Sequence, residues 1–470
     1  MASEIPPGRP GNLTPDQEEK LRKLWHLILS LGEDVNQSTA DSTAASIAPS
    51  ETSAVGKGEK PKKKRVSLFS RKDKKGTESE STNSTPIAAQ VKEGDGDDKY
   101  GQTKQFLDAL ANESPEALRA TIWSMVKHDH PDALALRFLR ARKWDVDKAF
   151  VMMISTMHWR LTEMKVDDDI MKNGEAGALE AARGSDANAK RVGEDFMAQA
   201  RSGKTFIHGV DKVGRPICMV RVRMHRQGEQ CEESLEKYTV FLIETARMVL
   251  APPIDTATIV FDMTGFSMAN MDYTPVKFMI KCFEANYPES LGAVLVHRAP
   301  WVFQGIWKII KGWLDPVVAS KVHFTNNVKE MSEFIDPSHI LKELDGQEAW
   351  DYQYVEPIPG ENDKMKDTAT RDTLVSGRED LISQYEEATQ QWINEAGTDK
   401  ESAIKARREE LALKLREDYW KLDPYIRAKS FLDRTGVIQE GGKINMYPTK
   451  APVAPTNGAP KAETSVDDVD

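Results

Sequence analysis

Several short stretches carry residue types in spacings that chemistry uses. Gly203-Lys204-Thr205 has the glycine, lysine and hydroxyl of a phosphate-cradling loop. Such a loop also needs a glycine five positions before Gly203, and Ala198 stands there. Gly265-Phe266-Ser267-Met268-Ala269 follows an apolar run as a hydrolase nucleophile elbow would, with His297, His323 and His339 as formal bases. Its closing glycine is replaced by Ala269, so a polar turn after a strand is the simpler reading. The nine histidines contain no His-x-x-x-His pair, and no metal cluster is expected. Cys218, Cys231 and Cys282 lie far apart in no ligand spacing, which argues for a reducing compartment and against a disulfide framework.

Residues 299 to 316 point to different chemistry. Pro300 and Pro316 bracket a segment expected to form one helix over about 302 to 314. Val302, Phe303, Ile306, Trp307, Ile309, Ile310, Trp313 and Leu314 then share one broad face, and Gln304, Gly305, Lys308, Lys311 and Gly312 share the other. With Trp301, the segment holds three of the chain's ten tryptophans, and its polar face carries lysines but no acid. A helix packed on a sheet explains the apolar face. Tryptophan with lysine also suits a helix that leaves its core to meet lipid headgroups, the moving door of a lipid pocket.

Composition bounds what positions these residues. The chain has 470 residues and a net charge of −10, which disfavours nucleic acid as a partner. No apolar run approaches the ~18 residues of a membrane span, and the N-terminus lacks a signal peptide's charged and apolar regions. A cytoplasmic protein that touches membranes reversibly is expected.

Thr14-Pro15-Asp16-Gln17 is a capping box with proline in the first turn, opening a helix over about 14 to 31. Residues 33 to about 100 are too polar to offset the entropy of ordering, so residues 1 to 99 are read as a mostly disordered tail around that one helix. Within the tail lie Lys62, Lys63, Lys64 and Arg65, followed by Leu68 and Phe69. This segment suits anionic membrane, with Ser67 and Ser70 as phosphorylation switches; nuclear import and a solvated charge run are the alternatives. Residues 100 to 194 read as a helical cap, with Asp145 as an N-cap and an acidic, mobile Gly- and Ala-rich connection over 165 to 194. From 195 to 350 the pattern alternates. Strands at 216 to 222, 257 to 261, 293 to 296 and 322 to 325 are separated by helices at about 232 to 250, 273 to 286 and 302 to 314, which implies an α/β, largely parallel sheet. Two more helices fill 351 to 435, the second stopped by Asp423-Pro424, and 436 to 470 reads as a disordered tail.

Three groups of residues together resemble the CRAL-TRIO lipid-binding family over about 130 to 346. Leu136-Arg137-Phe138-Leu139-Arg140-Ala141-Arg142-Lys143-Trp144-Asp145 looks like its N-terminal helical signature, and Gly214-Arg215-Pro216 like the approach to its first strand. Tyr287-Pro288-Glu289, Ala299-Pro300 and Leu314-Asp315-Pro316 resemble its pocket-edge and gate motifs. Within the family the chain resembles the fungal phosphatidylinositol-transfer branch. The resemblance implies a helical cap, a mixed sheet and one lipid beneath a gate helix that maps onto Trp301 to Leu314. It implies headgroup contacts from Arg142, Lys143, Glu289 and Lys321, with Val318 where the family has a threonine. Members that also carry phosphatidylcholine have hydroxyls where Ala257 and Ile259 stand here, and a buried phosphodiester without donors is costly.

The expected function is therefore phosphatidylinositol binding and transfer by a monomer without catalytic activity. One bound phospholipid takes the place of a cofactor, and anionic membrane such as endosome or Golgi is a transient partner. The alternatives are a lipid-dependent adaptor, a carrier of a sterol- or isoprenoid-like ligand and, remotely, an esterase.

Overall fold

A computed structural model describes residues 5–32 and 98–448. The basic segment at Lys62 to Phe69 lies outside the described residues, as do residues 449–470. The chain is a helical cap followed by a five-stranded sheet and a long helical hairpin that returns to the cap.

The first helix, Pro15–Leu29, starts as its residues dictate. Thr14 Oγ1 accepts the Gln17 backbone N–H at 3.3 Å, and Gln17 Oε1 accepts that of Thr14 at 3.1 Å. Leu21, Leu24, Trp25 and Ile28 are buried, so this helix belongs to the core rather than to a tail. The Trp25 indole donates to Asp132 Oδ1 at 2.6 Å, and Arg408, from the C-terminal hairpin, reaches the same oxygen at 2.7 Å. The cap continues through Gln102–Asn112, Pro115–Val126, Pro131–Ala141 and Val146–His158, the last capped by Asp145 accepting from the Lys148 N–H at 3.0 Å.

Residues 165 to 194 are not a mobile connection. They form a π-helical turn, the helix Lys172–Arg183 and much of the helix Ala187–Ser202. Alanine favours helix, and the small residues let the two helices approach closely: a Cβ on Gly193 would meet the Ala178 carbonyl oxygen at 2.5 Å.

The sheet order is β1-β2-β3-β4-β5. Strands β2 (Pro216–Arg221), β3 (Ala257–Asp262), β4 (Leu291–His297) and β5 (Val322–Thr325) are parallel neighbours. The additional strand β1, Thr205–Val210, pairs antiparallel with β2. Gly214-Arg215-Pro216 therefore leads into the second strand, not the first. Gly214, at φ +95°, closes the hairpin turn, its N–H donating to the Asp211 carbonyl at 2.9 Å.

The C-terminal hairpin pairs Thr368–Asn394 with Glu401–Ile426. Pro424 lies inside the second helix instead of stopping it. It falls in the last turn, close to where the helix ends, and Asp423 is clamped by Arg427 at 2.7 and 2.9 Å. Residues 436–448 are packed rather than disordered: Val437 and Ile438 are buried beside Tyr419 and Leu432, and the Tyr447 hydroxyl accepts the Val210 N–H at 3.0 Å.

A buried ionic cluster joins cap to sheet domain. Glu244, on the helix Glu232–Met248, accepts from Arg160 at 2.6 Å and from the Tyr287 hydroxyl at 2.8 Å. Arg160 also forks onto Asp167 at 2.7 and 2.8 Å. Burial alone would raise the pKa of Glu244, but Arg160, Arg247 and Lys127 outweigh it and hold the carboxylate well below its ordinary range.

Candidate functional site

Strand alternation builds one face of a cavity of about 290 Å³. Cys218 and Val220 of β2, Ala257, Ile259 and Phe261 of β3, and Val294 and Val296 of β4 line it. The intervening residues Ile217, Met219, Val260 and Leu295 enter a separate core on the other side of the sheet. The helices Glu232–Met248 and Tyr273–Lys281 supply further walls through Leu242, Ile243, Val276 and Met279.

The segment between Pro300 and Pro316 closes another side, with a shorter helix than its sequence predicts. The helix spans Phe303–Lys311, and Trp313 and Leu314 follow it after a turn. Phe303, Trp307, Ile310 and Leu314 line the cavity. Ile306 is buried in the adjoining cluster of Met263 and Val296. Trp313 meets Tyr273 edge-on at 5.4 Å, with the Lys277 ammonium 4.8 Å from its ring centroid. Ile309 is 48% exposed and Trp301 85% exposed, so neither shares the covered face. Met268, Val317 and Phe324 are also exposed large apolar residues in this half of the chain.

The four polar residues assigned by resemblance lie around the edge where the parallel strands begin. Glu289 precedes β4 in the left-handed region, φ +56°, and its carbonyl accepts from Arg137 at 2.8 Å. Lys321 precedes β5, its carbonyl accepting the Val294 N–H at 2.8 Å. Arg142 ends the helix Pro131–Ala141 and donates to Gln102 Oε1, while Gln102 Nε2 donates to the Ala285 carbonyl at 3.2 Å. Lys143 is exposed, also left-handed at φ +51°. None of these four side chains lines the cavity; Ser290 and Val318 beside them do.

Lys204, from the incomplete phosphate-loop sequence, lines the cavity instead. Cys218 lines it too, and desolvation pushes its thiol up to about 12. Period-two alternation along β2 could have indicated Cys218; the incomplete phosphate-loop sequence drew attention to Lys204 without placing it at a cavity. Ser267 of the elbow-like sequence donates to Asn270 Oδ1 at 3.0 Å, and its bonding includes no histidine. His297 is buried against Thr325 Oγ1 at 2.9 Å. Among the described residues no group of three His, Cys, Asp or Glu could hold a metal, and no helix is long and apolar enough to cross a membrane.

Comparison with known proteins gives a consistent picture. Residues 200–346 match the family model described as CRAL/TRIO domain, and residues 102–155 match CRAL/TRIO, N-terminal domain. A CRAL-TRIO domain-containing protein of Schizosaccharomyces pombe is 42% identical over 438 residues, covering 92% of each chain. The phosphatidylinositol transfer protein CSR1 of Eremothecium gossypii is 40% identical over 454 residues, covering 93% of this chain and 100% of that protein. A second Schizosaccharomyces pombe CRAL-TRIO domain-containing protein is 26% identical over 71% of this chain and 90% of its own length.

Proposed function

Because the chain belongs to the CRAL/TRIO family, we propose that it binds one phosphatidylinositol and carries it between membranes. The observation that carries the reading is the apolar cavity walled by Phe303, Trp307, Ile310 and Leu314. Acyl chains occupy it, and the headgroup sits toward Arg142, Lys143, Glu289 and Lys321 at the edge where the parallel strands begin. Arg142 can fork onto phosphate, the lysines add positive charge, and Glu289 can accept from inositol hydroxyls. The name of the Eremothecium relative supports the same ligand.

The helix Phe303–Lys311 acts as the gate. Turning Phe303, Trp307 and Ile310 into water exposes large apolar surface, so opening in buffer is rare. At a membrane the same side chains remain shielded, and the exposed Lys308 and Lys311 meet anionic headgroups. The membrane thus shifts the population toward the open state.

A second reading rests on Ala257 and Ile259, which line the cavity without a hydroxyl: a wholly apolar sterol- or isoprenoid-like ligand incurs no penalty there. Vesicle-to-vesicle transfer of labelled phosphatidylinositol by wild type and by Arg142→Ala with Lys143→Ala tests the first reading. The double variant should stay folded and lose transfer, since each charge-assisted bond is worth about 1.5–3 kcal/mol. Wild-type transfer by the folded variant would remove these residues from the headgroup site.

A further inference from the structure

The opposite edge of the sheet, where the parallel strands end, brings a second polar group to the cavity wall. Lys204 lies just before β1, its carbonyl bonded to the Arg221 N–H at 2.8 Å at the end of β2. Lys204 is 7% exposed and lines the cavity, as do His225, Asn270 and Asp272. The Lys204 ammonium donates to His225 Nδ1 at 3.2 Å and to Gln230 Oε1 at 3.0 Å, both neutral acceptors. His225 Nε2 in turn donates to Asp272 Oδ2 at 3.2 Å, which fixes the tautomer that leaves Nδ1 to accept from the lysine.

Lys204 makes no ion pair among the described residues. The other cations at this edge are engaged: Arg221 holds Glu343 at 2.7 Å, and Arg223 holds Asp262. Asp272 is occupied by His225 and by the Thr274 N–H at 3.1 Å. One buried ammonium with only neutral partners is costly unless an anion joins it. Desolvation pulls its pKa down to about 8, and of the nearby acids Glu229 and Asp272 act on it only at longer range. A single charge beside an apolar cavity matches a monoanion on a hydrocarbon chain. It does not match a phosphate dianion, which would need more donors than remain.

We propose that Lys204 reads the carboxylate of a long aliphatic chain, with the chain lying in the cavity and the acid group at the strand-end edge. The carboxylate comes from a free fatty acid or from an acyl chain carrying a terminal acid. This site is separate from the headgroup edge and does not depend on which headgroup binds there.

The test is equilibrium binding of two probe pairs to the delipidated full-length chain: oleate against methyl oleate, and phosphatidylinositol with against without a carboxylate ending its second acyl chain. Wild type should prefer acid over its uncharged counterpart by about tenfold, the scale of one charge-assisted bond. Preference in the oleate arm assigns a free fatty acid; preference only in the phospholipid arm assigns a chain-end acid. In Lys204→Met the acid-to-ester ratio should fall to about one, whatever happens to overall affinity. On wild type alone, acid affinity should be flat from about pH 6 to 7.5 and fall about tenfold per pH unit once the free ammonium titrates near 8, while ester affinity stays level. Equal binding of acid and uncharged probe by wild type in both arms, or an acid preference that persists in Lys204→Met, overturns the proposal.

Discussion

The Glu284 carboxylate accepts the backbone N–H of Asp315 at 2.7 Å. Its other oxygen takes the Tyr100 hydroxyl at 2.6 Å and the Lys99 ammonium at 2.7 Å, and Lys99 also reaches the Trp313 carbonyl. One side chain thus fastens the far end of the proposed gate to the start of the helical cap. Desolvation, with Glu284 next, raises the Tyr100 pKa far above its ordinary value, so its hydroxyl keeps the proton it donates.

Glu284→Ala should loosen that end of the gate. If the tie is made only when the gate is closed, losing about 1.4 kcal/mol raises lipid exchange in buffer about tenfold. Stopped-flow release of a fluorescent lipid without acceptor membrane measures it. An unchanged rate would show that the gate opens without parting from Glu284.

Trp301 and Ile309 are exposed beside or on the helix whose other side lines the cavity. Trp301→Asp with Ile309→Asp should therefore reduce exchange on anionic vesicles by about tenfold while leaving the rate in buffer unchanged, because large apolar residues carry the interfacial contact. Equal loss in both conditions would place these residues in the closed pocket wall rather than on the membrane face.

Much of this arrangement was legible in the sequence. The capping box at Thr14 and Gln17 forms as its spacing predicts, and β-branched runs located β2 to β5. Strand β1 escaped because Thr205–Val210 contains His208 and Gly209, with a register break between Ile207 and Val210 where Gly209 turns to φ +68°. The packing of the first helix was illegible for another reason. Its partners Asp132, Tyr385 and Arg408 belong to a polar network closed across hundreds of residues, and no local pattern records such closure. The apolar face of the helix Phe303–Lys311 was readable at helical spacing, but its early end at Lys311 redirected Trp313 onto Tyr273. The fate of Lys204 depends on where β1 begins beside the end of β2, and so required the fold.

Ala257→Ser with Ile259→Thr should admit phosphatidylcholine. Both side chains line the cavity from β3, and each new hydroxyl can offset part of the desolvation of a phosphodiester, at about 0.5–1.5 kcal/mol per bond. The bound lipid after incubation with mixed vesicles reports the outcome. Abundant phosphatidylcholine in wild type would show that this strand does not set the selectivity.

Glu244→Gln should cost about 1.5–3 kcal/mol, the scale of a charge-assisted bond, because Arg160 keeps the Asp167 carboxylate but loses its charged partner at position 244. Glu244 and Asp167 are both held below their ordinary pKa values: burial pushes upward, and Arg160 outweighs it. Their contribution is complete above the unfolded carboxylate range and is lost as pH falls through the depressed folded values. The melting temperature should therefore drop progressively below about pH 4 in wild type, and more shallowly in Glu244→Gln. Parallel acid profiles for the two proteins would contradict the assignment of this cluster.

On the proposed function, a single phosphatidylinositol occupies the cavity behind Phe303, Trp307, Ile310 and Leu314. Mass spectrometry of the lipid that co-purifies with the full-length chain, native and then after extraction, tests it most directly. One phosphatidylinositol per chain is expected, and much less of it after Arg142→Ala with Lys143→Ala. A sterol, an isoprenoid hydrocarbon or phosphatidylcholine at equal stoichiometry, with phosphatidylinositol absent, would contradict it.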